Sequence, residues 1–307
     1  MRTAKRTRMS SPEPISIVMR SKNDAALIRA TLRAVHAQDY PAGFELIHID
    51  SGSTDGTLDI IRSFQPAQLI EIKPEDYVPG TVLNRGMRAA RSRWVVFLNS
   101  DCEPVDTHWL AQLVRLAQSD AKCGTAFGRQ IPRRDCQAVY AHDYDRCFSH
   151  ERESGNWDHF FSMANSIVRR DVWEAEPFRE DLQYSEDDEW SRRLIAKGWS
   201  VLYAPESAVF HSHNYTLRQA FRRAYGEAFA LAAIESVPAD RYSLLRTVAA
   251  GGLREWLRDF GYCRRSRRLA EWPHALGVRI AQRLGKVRGF RSGWARYQGG
   301  KTAMGAC

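Results

Sequence analysis

Short apolar runs alternate with helical periodicity through the first hundred residues of the chain. Five consecutive hydrophobic residues at Trp94–Leu98 are typical of a strand that is buried on both faces of a parallel sheet. Apolar positions that recur every three or four residues, as in 27–35, predict the intervening helices. The predicted strands are 15–19, 44–49, 69–72 and 94–98, and the predicted helices are 27–38, 58–64 and 82–90. Because strands and helices that alternate in this way require right-handed crossovers, the pattern predicts an α/β fold with a mostly parallel sheet flanked by helices.

The second half of the chain has a less regular pattern. It predicts strands at 124–130, 201–203 and 208–210 and helices at 109–117 and 190–196. Residues 132–158 show no clear period, and we interpret them as a long loop with some helix over the crevice of the sheet. From about residue 216 the chain is predicted to be helical and increasingly basic. The sequence therefore predicts a flexible basic leader at 1–13, an α/β domain at 14–225 and a helical basic C-terminal extension at 226–307.

Composition and charge narrow the class of protein. The 307 residues are 44% hydrophobic, yet no run approaches the ~18 apolar residues of a membrane span and no signal-peptide core follows the basic N-terminus, so we expect a cytoplasmic protein. Six cysteines without a CxxC spacing favour reduced thiols over a disulfide framework or a zinc site. The net charge of +9 is concentrated at the end of the chain, where Arg254–Lys301 contains 13 Lys or Arg and three Asp or Glu.

Asp101 follows the strand at 94–98, at the end where open α/β sheets bind their ligands. A hard cation such as Mg²⁺ or Mn²⁺ takes oxygen ligands, and it often binds one or two carboxylates while phosphates supply the rest. Asp101 is therefore a candidate metal ligand, although it could instead cap the next helix. His211 and His213 follow another predicted strand, and strand alternation directs both to the same face. A histidine there could complete the metal's shell, or both could be ordinary core or surface residues.

Two further polar stretches are candidates for chemistry. Asp50–Thr57 is rich in turn formers and short hydrogen-bonding side chains, which favours a pocket for a nucleobase or ribose; a helix N-cap at Ser53 or Thr54 would explain only part of it. Glu186–Glu189 places four acids at one helix start. They could simply stabilise the helix through its macrodipole, or adjacent carboxylates could raise one pKa and supply a general base for a hydroxyl group.

Taken together, these segments resemble a family 2 glycosyltransferase of the GT-A (Rossmann-like) fold, over roughly residues 14–225. The matching segments, in the family's order, are Ser16–Asn23, Asp50–Thr57, Leu83–Gly86, Phe97–Cys102, Arg169–Trp173, Glu186–Asp187 and Val209–His211. The segment Phe210–Thr216 is also similar to bacterial rhamnosyltransferase-like members. The resemblance implies inverting transfer of a sugar from a nucleotide-diphosphate sugar to an acceptor hydroxyl in a single displacement.

The resemblance also implies a role for each matching residue. Asp187 would be the catalytic base, and Asp101 and His211 would bind a divalent metal, Mg²⁺ or Mn²⁺. The donor nucleotide would contact Arg20, Lys22, Asn23, Asp50, Ser51, Asn84, Ser100 and Asp101. Two departures matter: Asn99 occupies the first acidic position of the DxD motif, and the turn after the first strand differs from the usual one, which leaves the nucleobase open. The Gln-x-x-Arg-Trp segment of processive relatives is absent, so single additions are expected.

The C-terminal extension mixes Trp, Leu and Phe with many arginines. Such helices bind anionic membrane surfaces, so the sequence predicts a peripheral location on the inner face of the plasma membrane, near a glycan or lipid-linked acceptor. The alternative is a helical cap packed on the body. Nucleic-acid binding is disfavoured because the body itself is not basic.

Two other functions are alternatives to sugar transfer. A sugar nucleotidyltransferase would need a glycine-rich loop that residues 15–24 lack, and a non-catalytic glycan-binding relative would not need both Asp101 and Asp187.

Overall fold

A computed structural model describes residues 13–150, 160–235 and 242–297. The predicted leader at 1–13 therefore lies almost wholly outside the described residues, as does the end of the predicted loop. The strands are β1 Ile15–Ser21, β2 Phe44–Asp50, β3 Gln68–Glu71, β4 Trp94–Asn99, β5 Glu103–Pro104, β6 Cys123–Ile131, β7 Asn165–Arg169 and β8 Ser200–Phe210. The α-helices are α1 Ile28–His36, α2 Thr57–Ser63, α3 Pro79–Ala89, α4 Trp109–Ser119, α5 Ala138–Cys147, α6 Arg170–Ala175, α7 Glu186–Ala196, α8 Leu217–Ile234, α9 Gly251–Arg265 and α10 Trp272–Tyr297.

The eight strands form one sheet in the order β3-β2-β1-β4-β7-β6-β8-β5. The first four strands are parallel, and β7 runs antiparallel between β4 and β6. In the register of β1, Ser21 pairs with Asp50 of β2 and Arg20 pairs with Asn99 of β4. The carboxyl ends of these three strands therefore lie side by side, and the loops that follow them meet at one edge of the sheet.

The predicted strand at 94–98 is buried on both faces, as its apolar run indicates. Val96 and Leu98 pack into the hydrophobic cluster beneath α1 and α4, whereas Val95 and Phe97 pack into the cluster beneath α3 and α7. The predicted helices and strands of the first hundred residues are all present, with ends shifted by at most three residues. The two clusters fix the sheet between two helical layers.

Two elements of the second half differ from the prediction, and a third agrees with it. The region predicted as a long loop with some helix contains α5, whose Val139, Tyr140 and Ala141 are buried, so tertiary packing stabilises a helix without an amphipathic sequence. The strands predicted at 201–203 and 208–210 are one strand, β8, which has a register shift opposite Gly128 and Arg129. The segment 160–168, for which no element was assigned, contributes the antiparallel strand β7.

The C-terminal helices pack tightly against the α/β body. The predicted boundary at 225/226 falls inside α8. A side chain at Gly289 of α10 would overlap the backbone of Tyr225 in α8, and Gly285 and Gly293 are equally close to α8 one turn to either side. Small residues at this spacing allow the two helices to approach closely. Among the described residues, no helix is both long and apolar enough to cross a bilayer.

A buried charged cluster joins this extension to α5. Asp259 of α9 accepts two hydrogen bonds from the Arg279 guanidinium of α10, both at 2.8 Å, and lies 2.7 Å from His142 Nδ1. Arg279 also pairs with Asp143 at 2.8 Å. Asp259 is fully buried and Arg279 is 2% exposed, so these charges depend on partners inside the protein, which for Arg279 also include the Val139 carbonyl and Gln282. The helices of the extension are thus part of the folded body.

Candidate active site

The turn after β1 and the loop after β2 are joined by several hydrogen bonds. The Asn23 N–H donates to Ser53 Oγ and the Thr54 N–H donates to Asn23 Oδ1, both at 2.8 Å. The Asp24 N–H donates to Thr57 Oγ1 at 2.8 Å. Asn23 has a φ of 56°, which lets its side chain turn toward the second loop. These bonds bring the predicted donor-binding residues of both loops to one place.

Asp50 organises the second loop from inside the protein. Its carboxylate is fully buried and accepts hydrogen bonds from Ser21 Oγ at 2.7 Å and from both the N–H and the hydroxyl of Ser53, at 2.8 and 2.6 Å. Burial lowers the pKa of the neighbouring His48 to about 4, so this imidazole is neutral. Asp50 therefore shapes the pocket through Ser53, and its direct contact with a base or ribose stays a prediction.

The other predicted donor-binding residues lie around the same loops. Lys22 is exposed at the rim, whereas Ser51 and Ser100 are buried. The Ser51 N–H donates to the carbonyl of Ser21 and the Ser100 N–H donates to that of Arg20, both at 3.0 Å, so both residues extend the sheet beyond its last strand residues. The Arg20 guanidinium donates to Asn99 Oδ1 at 2.9 Å.

The Asn84 amide is bonded inside the protein, and its predicted contact with the nucleotide stays a prediction. Its Nδ2 donates to the Phe178 carbonyl and to Glu180, and its Oδ1 accepts from Trp173 Nε1 and from the Phe178 N–H, all between 2.8 and 3.1 Å. The side chain is 1% exposed and its amide is fully used. Asn84 therefore holds the segment before α7 against α3.

Asp24 is a site residue that the sequence did not single out. It accepts a hydrogen bond from Ser100 Oγ and another from the Lys22 N–H. Burial raises the pKa of Asp24, and the negative charges of Asp101 and Asp55 add to the rise. Asp24 thus adds an acid to the cleft beside Asp101. In the sequence, the only indication of its role was that Asp24 is one more acid in the polar turns that follow the predicted strands.

Asp101, His211 and His213 form the one cluster of potential metal ligands among the described residues. Their ligating atoms all lie within 4.8 Å of one another. The Asp101 carboxylate is 3.4 Å from His211 Nε2 and 3.5 Å from His213 Nε2, and the two imidazole nitrogens are 3.0 Å apart. Both histidines approach Asp101, as strand alternation indicates, so His213 joins the two predicted ligands.

A neighbouring glutamine orients the first histidine. His211 Nδ1 lies 2.7 Å from Gln130 Oε1, and Gln130 donates its Nε2 to Ser162 at 2.8 Å. Because the Gln130 carbonyl oxygen can only accept, Nδ1 carries a proton, and Nε2 is the ring nitrogen that is left for a metal ion beside Asp101. The tautomer needed for metal binding is thereby selected. Gln130 had no motif in the sequence that would identify it.

The charges of this cluster suit a cation. Burial alone would raise the pKa of Asp101, but the hydrogen bond to His211 and the positive charges around it hold the pKa at about 2. Burial, with the charge of His211, lowers the pKa of His213 to about 4. An ionised carboxylate beside two imidazole nitrogens is a donor set that suits a divalent ion, which would take the place of any proton on those nitrogens.

Arg133 adds a positive charge behind Asp101. Its Nη2 donates to the Asp101 backbone carbonyl, and its N–H donates to Ser212 Oγ at 3.0 Å, between the two histidines. Its Nη1 is buried and has no hydrogen-bond partner among the residues that the structure describes. Sequence reasoning missed this residue because only the pairing of β6 with β8 brings it to Asp101.

The acidic run at the start of α7 divides into two pairs. Asp188 and Glu189 form ion pairs with the arginines one turn later, at 2.9 and 3.1 Å, and so stabilise the helix. Glu186 and Asp187 have no ion pair within 4 Å among the described residues. The Asp187 carboxylate accepts the backbone N–H groups of Met163 at 3.3 Å and of Asp188 at 2.9 Å. Burial raises the pKa of both Glu186 and Asp187, and the charge of Asp187 adds to the rise at Glu186.

Arg20 connects the acid pair to the candidate metal ligands. Its positive charge acts on both Glu186 and Asp187, opposing the rise in their pKa values. Its guanidinium is bonded to Asn99, two residues before Asp101. The turns after β1 and β4 and the start of α7 therefore open on one cleft. Ser185, just before α7, has a left-handed backbone with φ of 60°, a strained conformation that is concentrated at functional sites.

Sequence comparisons identify relatives that transfer sugars. A family model described as glycosyl transferase family 2 matches residues 16–175, just over half of the 307 residues. The chain is 32% identical over 192 residues to the O-antigen chain rhamnosyltransferase WbaN of Salmonella anatum, a match that covers 58% of this chain and 60% of WbaN. It is 29% identical over 223 residues to the O-antigen chain rhamnosyltransferase RfbN of Salmonella typhimurium, covering 68% of this chain and 69% of RfbN. The chain thus spans less than two thirds of WbaN.

Solved structures share the fold. The mannosyltransferase PcManGT of Pyrobaculum calidifontis, in complex with GDP-Man and Mn²⁺, aligns with a TM-score of 0.57 at 19% identity, covering 98% of this chain and 87% of that one. Glucosyl-3-phosphoglycerate synthase of Mycobacterium tuberculosis, with Mg²⁺ and UDP, aligns with a TM-score of 0.55 at 19% identity, covering 74% and 80%. The architecture is the GT-A fold, with a C-terminal helical region. Since the family model matches more than half of the chain, including the first three loops of the cleft, the chain is a member of glycosyl transferase family 2 and a glycosyltransferase.

Proposed function

We propose that the protein transfers a sugar from a nucleotide-diphosphate sugar to a hydroxyl of a glycan or lipid-linked acceptor, with inversion at the anomeric carbon. The position of Arg20 supports this proposal best. Its guanidinium bonds Asn99 beside the candidate metal ligands, and its charge acts on Glu186 and Asp187. A single displacement needs a leaving-group site and a proton acceptor in one cleft, and Arg20 joins the two.

Asp101, His211 and His213 are the proposed ligands of a divalent cation. Such a cation neutralises charge on the departing diphosphate. The donor set favours Mn²⁺ over Mg²⁺, because Mg²⁺ prefers oxygen whereas imidazole nitrogens suit transition-metal ions. The second histidine also compensates for Asn99 in the DxD motif. Arg133, which donates to the Asp101 carbonyl, adds a positive charge that would also favour a bound diphosphate.

Asp187 is the proposed general base. The acceptor oxygen forms its bond to the anomeric carbon as the bond to the diphosphate breaks, and the hydroxyl proton passes to the Asp187 carboxylate. Burial raises the pKa of Asp187, which makes the carboxylate a stronger proton acceptor than an exposed aspartate. The backbone N–H groups of Met163 and Asp188 fix its orientation.

The donor nucleotide is proposed to lie against the loops after β1, β2 and β4. The residues proposed to line its pocket are Arg20, Lys22, Asn23, Asp50, Ser51, Ser100 and Asp101, with Asp50 acting through the loop that it holds. Neither the turn at 20–25 nor the loop at 50–57 specifies the base, since their polar groups suit several. The choice among UDP, dTDP and GDP is left to measurement.

The named relatives indicate the sugar and the acceptor. Because WbaN and RfbN are O-antigen chain rhamnosyltransferases, we propose that the donor supplies rhamnose, one residue at a time, to a growing cell-envelope polysaccharide. Such an acceptor carried on a lipid would place the protein in the cytoplasm, at the inner face of the plasma membrane. An anionic membrane surface is then a further proposed partner.

The proposal can be tested by incubating the purified protein with nucleotide-rhamnose donors, Mn²⁺ and a lipid-linked glycan acceptor. The expected products are the free nucleoside diphosphate and a glycan whose new linkage has the opposite anomeric configuration from the donor, read by NMR. A separate incubation with a nucleoside triphosphate and a sugar 1-phosphate tests the alternative, and release of pyrophosphate from that mixture would instead identify a nucleotidyltransferase. Retention of configuration would contradict the role of Asp187 as base.

A further inference from the structure

Exposed apolar side chains are concentrated in the C-terminal helices. Of the twelve large hydrophobic side chains that are exposed among the described residues, eight lie at or after residue 217. They are Leu217, Leu244, Leu253, Leu257, Phe260, Leu269, Leu276 and Ile280. Scattered single residues of this kind need no explanation, but a cluster indicates an interaction surface.

Three of them form a strip along α9. Leu253, Leu257 and Phe260 recur at helical spacing, and they are 51%, 55% and 39% exposed. The inner side of the same helix is buried against α5 and α10. Arg254 and Arg258 run beside the strip, and a shallow groove of about 550 Å³ lies between these leucines and arginines. The outward side of α9 is therefore amphipathic in its own right.

The strip continues onto α10. The Phe260 ring packs at 4.8 Å on Trp272, and Leu276 and Ile280 follow Trp272 at one and two turns along α10. Leu217 lies against Gly277, where an added Cβ would be 3.4 Å from its side chain. We refer to Leu217, Leu253, Leu257, Phe260, Leu276 and Ile280 as the apolar face.

The charges around the apolar face have one sign. All three acidic residues of Arg254–Tyr297 are paired: Glu255 with Arg283, Asp259 with Arg279 and Glu271 with Arg268. Five exposed arginines of α9 and the turn after it form none of the ion pairs found among the described residues. These are Arg254, Arg258, Arg264, Arg265 and Arg267. The apolar face is thus bordered by positive charge alone.

We propose that the apolar face docks on an anionic lipid bilayer. Exposed leucines and a phenylalanine can enter the acyl boundary while the arginines beside them contact acidic headgroups, which is the pattern of a helix that lies in the membrane interface. A second copy of the chain fits less well as the partner. Two copies joined through this face would bring the five arginines of one copy close to the five of the other, and these charges repel. The apolar strip also lacks the row of exposed aromatic rings on which single-stranded nucleic acids stack.

The apolar face lies close to the candidate active site. Leu217 is four residues after His213, so the two are at most about 14 Å apart. On the inner side, α9 contacts α5 through Asp259 and His142, and Tyr144 of α5 is 3.4 Å from His211. Docking would therefore place the metal ligands near the headgroups. Docking itself is independent of the proposed reaction, whereas its benefit for a lipid-linked acceptor rests on the proposed function.

Vesicle flotation of the full chain tests the proposal. We expect the protein to float with phosphatidylcholine vesicles that contain phosphatidylglycerol, and not with phosphatidylcholine alone. L253E/L257E should abolish flotation. R254Q/R258Q should weaken partitioning by about 30-fold, since each basic residue near an anionic surface contributes roughly fivefold. Matched controls are R29Q/R33Q, an exposed arginine pair at the same spacing on α1, and I195E, an exposed apolar residue on α7.

The outcomes are distinguishable. Thermal melting and nucleotide binding should be unchanged in all four variants, which separates lost docking from misfolding and from failure of the proposed reaction. The proposal is overturned if the full chain does not float with anionic vesicles, or if L253E/L257E floats like the controls. It is also overturned if the face instead supports dimerisation by light scattering, or binding of a single-stranded oligonucleotide without vesicle binding.

Discussion

His211 and His213 bring their Nε2 atoms to within 3.0 Å of each other beside the Asp101 carboxylate. Two imidazole nitrogens this close need a shared proton or a shared cation between them. Gln130 holds a proton on Nδ1 of His211, which leaves Nε2 as the nitrogen that faces His213 and Asp101. Together with the Asp101 carboxylate, the pair is a candidate site for a metal ion, although the DxD motif itself supplies only one carboxylate.

Gln130 should control metal affinity without touching the metal. Gln130→Met removes the acceptor that fixes the His211 tautomer, so we expect Mn²⁺ affinity to fall by about 10- to 100-fold. Isothermal titration of Mn²⁺ in the presence of nucleotide would measure the change. Gln112→Met, on α4, is the control; equal affinity of wild type and Gln130→Met would remove Gln130 from the metal site.

Replacing the proposed base should separate catalysis from donor binding. Asp187→Asn preserves shape but cannot accept the acceptor proton, so we expect the transfer rate to fall by at least about 100-fold while donor affinity is retained. Single-turnover kinetics and nucleotide titration measure the two effects. The matched control is Asp188→Asn next to it, which weakens the ion pair with Arg192. A wild-type rate in Asp187→Asn would exclude Asp187 as the base.

Arg20 should set the acid limb of the pH–rate profile. The positive charge of Arg20 favours the ionised forms of Glu186 and Asp187, so its removal raises their pKa values. A base with a higher pKa is protonated at higher pH, and Arg20→Met should therefore move the acid limb of kcat toward higher pH. Lys22→Met, at the exposed rim, should leave it in place. A shift toward lower pH would contradict the assigned geometry.

The buried pair of Asp259 and Arg279 should be essential for the stability of the C-terminal helices. Arg279→Met leaves the buried carboxylate of Asp259 without its main partner, so the free energy of unfolding should fall by about 3–5 kcal/mol. Urea denaturation followed by circular dichroism would measure this loss. Arg33→Met on the exposed side of α1 should change stability by less than about 0.5 kcal/mol. A loss of similar size in both variants would show that the cluster has no special role.

The sequence alone determined the alternation of strands and helices, because apolar periodicity is a local property that each segment retains in the fold. It also placed Asp50, Asp101 and the turn at 20–24 at the carboxyl ends of predicted strands, whereas the structure shows that these strands are adjacent. The same local logic identified His211 and His213 as residues of one face, and the structure brings both to Asp101.

Only the tertiary structure decided which polar residues face the cleft. Gln130 and Arg133 reach the metal ligands because β6 pairs with β8, which places Gln130 opposite Val209, nearly eighty residues away. Asn84 was assigned to the nucleotide by its motif, yet the backbone of Phe178 and two side chains use its whole amide. Such contacts join segments distant in the chain, so no local pattern encodes them.

In the C-terminal extension, too, the local sequence decided some features and the tertiary structure decided others. Its sequence specified basic amphipathic helices, since charge and spacing are local. Which side of each helix packs inward depended on glycine contacts between α8 and α10 and on the buried cluster around Asp259, and both require helices far apart in sequence to meet. That packing, by burying one side of α9, left Leu253, Leu257 and Phe260 facing outward.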